Sequence, residues 1–508
     1  MKQEIFTVGK LKNMKQKSLK SVDIFCFTAL YVYLLCAVVF LCLTFPAWAS
    51  PAGAAGKTAG KKMPFSKNAG IMLCTENGTV LYSQNPDIKF IPASILKVLT
   101  SLGAIHYLGG DYRFKTDFFL DNEAINNKAI NNKAINHDLS RSNHLEHNLK
   151  KTNLKIKGYG DPLFTSEHIS QACHNLSKVF KSMNISELDD IIVDNTFFSS
   201  DIEIDGNANS NNPYDAFTGA LSANFNTVFF KYSRETRDYI SAEPQTPLLP
   251  FVRKRVQTSG LKEGRIILSK QESTMYAGML IKHFLLQEGI RINGVVTKGI
   301  VATGDIAGIK GNREKKRGDR LVYTYTSPYS MDEIIKRLLK YSSNFMANQL
   351  FLSTGAKAFY PPATVEKGVS AIRDYARKVP GISDAVFAEG SGLSRQNRIS
   401  PAAMIKVLRH FKKHYKLMQM QNNNTQNNNM QSNNTQIDRI QNDNMPNGIS
   451  EYYKTGTLNS VRTRCGYFET SKGLYPFVIM INEDGMGYEK IRQFLWRIVS
   501  EHQNAFSR

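Results

Sequence analysis

Three short motifs of this chain combine a hydroxyl with an amine or an amide at close spacing. In chain order they are Ser94-Ile95-Leu96-Lys97, Ser342-Ser343-Asn344 and Lys454-Thr455-Gly456. Ser94 and Lys97 are three residues apart, so on a helix they share one face. The apolar neighbours of Lys97 predict a buried amine, and burial together with a nearby second cation lowers the pKa of an amine. A neutral amine beside a serine hydroxyl is a general base, which activates this weak nucleophile.

Each motif alone has an ordinary structural explanation. Ser94 suits a helix N-cap, Lys97 a solvated helix position, and residues 454–456 the start of a strand. The three motifs together, in this order, are far more specific than any one of them. Gly456 adds a further property, because a glycine in an edge strand lets a substrate approach the backbone closely.

The trio resembles the signature of the serine penicillin-recognising enzymes, which are the penicillin-binding proteins and the serine β-lactamases. Further segments resemble the class C low-molecular-mass penicillin-binding proteins, the D-alanyl-D-alanine carboxypeptidase/endopeptidase family. These segments are 158–162 (GYGDP), 213–216 (PYDA), 220–227 (ALSANFNT), 390–395 (GSGLSR) and 454–461 (KTGTLNSV). The resemblance covers roughly residues 65–500 outside two low-complexity tracts, and it includes a long separation between Lys97 and Ser342. Glu389 stands where that family commonly has Asp.

The resemblance implies a role for each matching position. Ser94 is the expected nucleophile on a terminal D-Ala-D-Ala bond, and Lys97 is expected to take its proton. Ser342 is expected to relay a proton to the departing D-alanine, and Lys454 to tune Ser342 electrostatically. The implied substrate-binding residues are Asn344, Thr455, Gly456, Thr457, Asp161 and Arg395. For Asp161 and Arg395 a subsite for the stem-peptide side chain is expected, with a structural ion or turn contact as the alternative. The implied partners are the peptidoglycan stem peptide and, as covalent inhibitors, β-lactam antibiotics.

Two other functions share these motifs. A serine β-lactamase would use the same nucleophile but would release penicillin quickly, and no Glu-x-x-x-Asn deacylation element is evident in the sequence. A non-catalytic wall-binding module would keep the fold without needing every catalytic side chain. All five are present, namely Ser94, Lys97, Ser342, Asn344 and Lys454. The chain also has no Cys-x-x-Cys, no His-Glu-x-x-His and no other compact set of metal ligands, so no metal or cofactor is expected.

Turn signals and apolar spacing predict the elements that position these residues. Asn77-Gly78 predicts a hairpin within 69–83, and residues 471–473 predict a second one between strands at 463–468 and 474–482. Helical spacing predicts helices around 94–108, 332–353 and 487–502. The fold class is therefore α/β (α+β), a β-lactamase/transpeptidase-like domain whose central antiparallel sheet is flanked by helices. A large, mostly β insertion with some helix, for instance at 273–288, interrupts it.

The predicted domain organisation has a split catalytic domain. Its parts, in chain order, are a leader (1–49), a flexible tether (50–64), the catalytic domain (65–111 and 326–508) and an inserted accessory region (112–325). Two polar repetitive tracts, 122–153 and 419–447, cannot bury much apolar surface and are predicted to be surface loops or disordered insertions.

The start of the chain predicts export. A lysine-rich segment, the uncharged apolar run 24–45 and an Ala47-Trp48-Ala49 site form a secretory signal, with cleavage expected after Ala49. The apolar run is also long enough to span a bilayer, so an uncleaved anchor is the alternative. The predicted location is the periplasm or the exterior. Only three cysteines follow the leader (Cys74, Cys173 and Cys465), too few and too scattered for a disulfide framework.

Composition narrows the partners. With 508 residues and 42% hydrophobic residues the chain can build real cores, which excludes a wholly disordered protein. The net charge is +22, and because the leader contributes four of these charges the exported part keeps +18. Outside the cytoplasm such a charge favours anionic wall polymer or association with a membrane surface over nucleic acid.

Overall fold

The computed structural model of the chain describes residues 65–121, 152–208, 210, 212–302, 318–421 and 445–505. The predicted leader, the tether and most of the two low-complexity tracts lie outside these residues. Strands β1 to β16 of the described part are Ala69–Cys74, Val80–Gln84, Lys115–Leu120, Leu154–Gly158, Glu187–Leu188, Ile191–Asp194, Thr227–Ser233, Asp238–Ser241, Glu263–Ile267, Arg291–Ile292, Val296–Lys298, Arg320–Thr326, Gln419–Gln421, Ser450–Leu458, Val461–Thr470 and Gly473–Ile481. Helices α1 to α9 are Lys97–Leu108, Ser166–Ser182, Pro250–Thr258, Lys270–Gln287, Met331–Tyr341, Asn344–Phe359, Val365–Lys378, Pro401–Phe411 and Glu489–Ala505.

The two ends of the described chain meet in one antiparallel sheet. Its strand order is β13-β14-β15-β16-β1-β2, so the first hairpin, β1–β2, pairs with the last hairpin, β15–β16. Both predicted hairpins are confirmed, and Gly78 has the positive φ of 95° that its turn requires. Because successive side chains point to opposite faces, a strand buried on both sides builds two cores at once.

Helices cover both faces of this sheet. Ile71 and Leu73 pack with Leu495 and Trp496 of α9 on one face. On the other face the sheet shares a core with residues of α1, α5, α6 and α8. This arrangement confirms the predicted antiparallel sheet flanked by helices. It also buries the side chains of Lys97 in α1 and Lys454 in β14.

One predicted helix is two. The helix expected at 332–353 is interrupted at Ser342, which adopts a left-handed conformation with φ 53°. Ser343 then caps α6, since its hydroxyl accepts a hydrogen bond from the Met346 amide at 3.2 Å. The apolar spacing continues across the break, which is why periodicity alone missed it. Because of this break, the Ser342 side chain does not point in the direction that a continuous helix would give it.

The region between α1 and α5 has a core of its own. A five-stranded mixed sheet, β11-β6-β4-β3-β12, and a three-stranded antiparallel sheet, β8-β7-β9, share this core with α2, α3 and α4. The helix predicted at 273–288 is α4, Lys270–Gln287. The insertion was predicted to be mostly β, and α2 and α4 give it a larger helical share than its short apolar runs indicated.

The second low-complexity tract is ordered at both of its ends. Gln419–Gln421 forms β13 and pairs with the start of β14, and Met445 is buried in the core that also holds α9. Residues 422–444 lie outside the described residues. The tract therefore joins the edge of the central sheet, which a purely surface loop at 419–447 would not do.

The described residues contain three cysteines, and their helices can be compared with the length and hydrophobicity of a membrane span. Cys74, Cys173 and Cys465 are buried free thiols, which agrees with the absence of a disulfide framework in the sequence. Within the described ranges, no helix combines the length and the apolar character needed to cross a bilayer. The apolar run 24–45 is not part of those ranges.

Candidate active site

Ser94 lies in a tight turn that several elements clamp. The turn is a 3₁₀ segment, Ala93–Leu96, that runs directly into α1. Thr463 of β15 donates to the Pro92 carbonyl at 2.8 Å, just before the turn. From the other side Gly392, with φ 83°, approaches so closely that a Cβ there would lie 1.9 Å from the Ala93 carbonyl oxygen. The Thr463 hydrogen bond and the close approach of Gly392 thus hold the half-buried Ser94 at the start of a helix.

Lys97 is fully buried one turn after Ser94, as predicted. Its Nζ lies 2.8 Å from Ser94 Oγ, 2.8 Å from Asn344 Oδ1 and 2.7 Å from the Ser391 carbonyl oxygen. The amide nitrogen of Asn344 faces the Tyr214 carbonyl at 3.3 Å, which orients its oxygen toward Lys97. A neutral amine has two N–H groups and one lone pair. Its two N–H groups match the two acceptors, which leaves the lone pair for the Ser94 hydroxyl.

The surroundings of Lys97 favour that neutral form. Burial lowers the pKa of the Lys97 amine well below its usual range, the positive charge of Lys454 lowers it further, and Glu389 opposes both. Desolvation penalises a charged amine because water no longer stabilises it. The environment that the sequence predicted for Lys97, a buried amine with a second cation nearby, is confirmed.

Lys454 and Ser342 form a second amine–hydroxyl pair. Lys454 Nζ donates to Ser342 Oγ at 2.8 Å and to the Thr455 carbonyl at 2.5 Å. Burial lowers the pKa of Lys454 to about 8, so near neutral pH this amine is still mostly a cation. Ser342 lies between α5 and α6, and its left-handed backbone conformation points its side chain toward Lys454 of β14. The first and second pairs are joined through α6, which begins at Asn344.

The strand that carries Lys454 is an open edge in this stretch. β13 pairs only with residues 451–453, so the outer side of residues 454–458 has no partner strand among those that the structure describes. Thr455 is half-buried and Thr457 is exposed. An unpaired strand edge offers backbone groups to an extended peptide, which can add to it as a further strand.

Gly456 packs closely against the turn that carries Ser94. A Cβ at this position would lie 2.7 Å from the Ser94 amide nitrogen and 2.4 Å from Thr463 Oγ1. Real Cβ atoms do not approach other atoms so closely. The missing side chain therefore lets β14 pack against the turn that carries Ser94, and the substrate access that the sequence pattern suggested stays a prediction.

Asp161 and Arg395 do not contact each other. Asp161 is buried, accepts a hydrogen bond from the Leu163 amide at 2.8 Å and has its pKa raised by burial to about 6. Arg395 is exposed and donates to the Asn459 carbonyl, just after β14, at 2.9 Å. For Asp161 these contacts match the turn contact that was the structural alternative. Arg395 lies at the C-terminal end of the open strand edge.

Sequence reasoning assigned no role to the loop that completes the Lys97 environment. The Ser391 carbonyl is an acceptor for Lys97, and Thr100 of α1 donates to the Gly390 carbonyl at 2.6 Å. Apart from Arg395, residues 390–395 were recognised only as part of a family pattern. The dense Gly and Ser of this segment were the available signal, because such residues allow a backbone to approach another closely.

A model of the D-Ala-D-Ala carboxypeptidase 3 (S13) family matches residues 59–260 and 252–500. The chain belongs to this family. It is 24% identical over 440 residues to the D-alanyl-D-alanine carboxypeptidase DacB of Haemophilus influenzae. The aligned region covers 83% of this chain and 87% of that protein. A D-alanyl-D-alanine carboxypeptidase of an Actinomadura species is 21% identical over 378 residues, 66% of this chain and 63% of that protein.

The fold of this family member matches solved structures. The crystal structure of penicillin binding protein 4 (dacB) from Haemophilus influenzae has a TM-score of 0.59 at 18% identity, covering 85% of this chain and 96% of that one. The same protein in complex with a β-lactam has a TM-score of 0.57 at 19% identity. The predicted resemblance to low-molecular-mass penicillin-binding proteins and the predicted fold class are both confirmed. The chain is a serine-type peptidase of the D-Ala-D-Ala carboxypeptidase class, whose substrate is peptidoglycan.

Proposed function

We propose that this peptidase cleaves the terminal D-Ala-D-Ala bond of peptidoglycan stem peptides through an acyl-enzyme on Ser94. The observation that carries the proposal is the 2.8 Å contact between Ser94 Oγ and the Lys97 amine, whose other two neighbours are acceptors. A serine hydroxyl that contacts a neutral amine can lose its proton to that amine as it attacks.

Acylation begins when Lys97 takes the Ser94 proton as the serine oxygen attacks the carbonyl carbon. The resulting oxyanion is bound by the backbone N–H groups of Ser94 and Thr457, and one such donor contributes roughly 3 kcal/mol to acyl transfer. The carbon–nitrogen bond then breaks, and Ser342 relays to the departing D-alanine nitrogen the proton that Lys97 took from Ser94, which leaves Lys97 neutral again. Water afterwards hydrolyses the ester on Ser94. The close packing of β14 against the Ser94 amide supports this placement of the oxyanion.

Substrate binding is assigned to the open edge of β14. The substrate's terminal carboxylate lies by the Lys454 cation and the hydroxyls of Thr455 and Thr457, while Asn344 holds a substrate amide. Arg395, at the end of the same edge, is proposed to form a subsite for the stem-peptide side chain. For Asp161 the buried carboxylate and its turn contact with the Leu163 amide support a structural role, and direct contact with the side chain stays a prediction.

The test uses benzylpenicillin, whose strained amide carbonyl makes it a substrate-like acylating agent. Incubated protein should gain one penicillin mass, and peptide mapping should place it on Ser94. A Ser94→Ala protein should form no adduct and release no D-alanine from a D-Ala-D-Ala peptide. Release of D-alanine by the alanine variant would refute the proposal, and rapid loss of the adduct would indicate a β-lactamase instead.

Lys454 makes the activity fall at alkaline pH. Its pKa is lowered to about 8 by burial, and only the cation attracts the substrate carboxylate. As pH rises through about 8 the charge is lost, so kcat/KM for a D-Ala-D-Ala peptide should decline there. The matched variant Lys454→Arg stays charged at such pH and should show no decline in this range. The same alkaline decline in both proteins would contradict the assignment.

We also propose that the protein is exported. The pattern of the leader supports cleavage after Ala49, and the charge of +18 that remains supports a location at the cell wall or a membrane surface. Sequencing the N-terminus of the protein recovered from its native host tests this. A mature chain that starts at Ser50 is expected, whereas a chain that keeps residues 24–45 would be a membrane-anchored form.

A further inference from the structure

Glu389 is a buried carboxylate at the base of the loop that touches Lys97. Only 1% of its surface is exposed, and its oxygens accept five hydrogen bonds. The donors are the Ser391 amide and hydroxyl, both at 2.6 Å, the Gly392 amide at 2.7 Å, the Ser394 amide at 3.3 Å and Asn397 Nδ2 at 2.9 Å. These bonds wrap the backbone of residues 391–394 around one carboxylate.

This wrapping fixes one of the three atoms that surround the Lys97 amine. The Ser391 carbonyl, 2.7 Å from Lys97 Nζ, belongs to the residue that donates twice to Glu389. The preceding residue is also held, because the Gly390 amide donates to Asn348 of α6 at 3.0 Å and its carbonyl accepts from Thr100 of α1. The direction in which the Lys97 lone pair points therefore depends on how Glu389 holds this loop.

The charge of Glu389 has no cation bonded to it. All five donors are neutral, and within the described residues no Lys, Arg or His forms an ion pair with Glu389. A buried charge without a partner is weakly screened, so it acts on other buried charges nearby. The charged groups that act on Lys97 are Lys454 from β14 and Glu389 from the loop, and they have opposite signs. The remaining neighbours, Ser94, Asn344 and Ser391, are uncharged.

We propose that Glu389 is a positioning residue for acylation, which orients the Lys97 amine through the Ser391 carbonyl and offsets the charge of Lys454 at that amine. The inference rests on the proposed role of Lys97 as the base. Glu389 does not touch the reacting atoms and acts only through Lys97. Removing its charge leaves the repulsion from Lys454 unopposed, so the pKa of Lys97 should fall further.

The experiment measures the rate of acylation of Ser94 by benzylpenicillin against pH in the wild type, Glu389→Gln and Glu389→Asp. Acylation requires neutral Lys97, so the wild-type rate should rise with pH through an acid limb. In Glu389→Gln that limb should move to lower pH by roughly one unit, the scale on which a nearby charge shifts a pKa. Glu389→Asp keeps the charge and should keep the wild-type limb.

One control variant and one replacement variant separate the effect of charge from the effect of stability. Asp194→Asn removes another buried carboxylate, one that does not act on Lys97, and should leave the limb in place. If Glu389→Gln does not fold, as judged by circular dichroism, Glu389→Ala replaces it, because the space it opens lets water bind the freed amides.

The possible outcomes are distinguishable. A lower rate at every pH with an unmoved limb would mean that Glu389 is only structural, and it would overturn the proposal. A wild type without an acid limb would overturn it too, since Lys97 would then not titrate in the pH range where the charge of Glu389 could shift its pKa. A wild type that is not acylated on Ser94 would instead refute the proposed function.

Discussion

A Lys97→Met protein is expected to react with benzylpenicillin about a thousandfold more slowly than the wild type, because positioned general bases contribute roughly 10²–10⁴-fold. Methionine fills a similar volume in the buried site but has no lone pair basic enough to take the Ser94 proton. The loss should appear at every pH, since no titrating base remains. The measurement is the rate at which the intact mass increases by one penicillin, with the modified residue mapped.

Lys115→Met is the matched control for this substitution. Lys115 is an exposed lysine of β3, outside the catalytic pairs, and its replacement should leave the acylation rate unchanged. Thermal unfolding of both variants shows whether the fold survives. A folded Lys97→Met protein that acylates within about tenfold of the wild type would show that another group takes the proton, and the assignment of the base would fail.

A Gly456→Ala protein is expected to lose acylation by about a hundredfold, the effect that a displacement near 1 Å has on a positioned reaction. The added methyl would lie 2.7 Å from the Ser94 amide nitrogen and 2.4 Å from Thr463 Oγ1, so β14 and the turn at 93–96 must separate. This separation moves Ser94 relative to Lys454 and the edge of β14. The measurement is again the rate of acylation, together with kcat/KM for a D-Ala-D-Ala peptide.

Gly110→Ala provides the matched control. No atom lies within 4 Å of a Cβ at Gly110, so the same change of residue is accommodated without any shift. It should leave acylation and peptide cleavage at wild-type rates. Equal activity of the two alanine variants would mean that the turn at 93–96 adapts to a side chain at 456, and the close packing would then have no catalytic consequence.

Local signals were sufficient for much of the scaffold. Asn77-Gly78 and residues 471–473 predicted the two hairpins that the structure contains, and apolar spacing placed α1 and α9 within a few residues. These elements are decided by turn chemistry and by burial of one face, both of which are written in adjacent residues. The three motifs likewise named the groups that the structure brings together, in the pairs Ser94 with Lys97 and Ser342 with Lys454.

Other features depended on contacts between distant segments. The break between α5 and α6 was missed because the apolar spacing continues through it, and only the left-handed Ser342 reveals it. The close packing of Gly456 against Ser94 and Thr463 was not foreseen, because those two residues are far from it or from each other in the chain. The five hydrogen bonds of Glu389 join residues up to eight apart around a buried carboxylate, a pattern with no periodic signature.

The sequence by itself determined the chemical groups of this protein, the order of its motifs and the helix that places an amine one turn after a hydroxyl. Those properties follow from residue type and short-range geometry. Only the tertiary structure decided which groups contact that amine, that Lys454 and Glu389 act on it with opposite charge, and that Ser342 faces Lys454. Burial and electrostatic interactions depend on distances between segments hundreds of residues apart in the chain, and packing alone sets those distances.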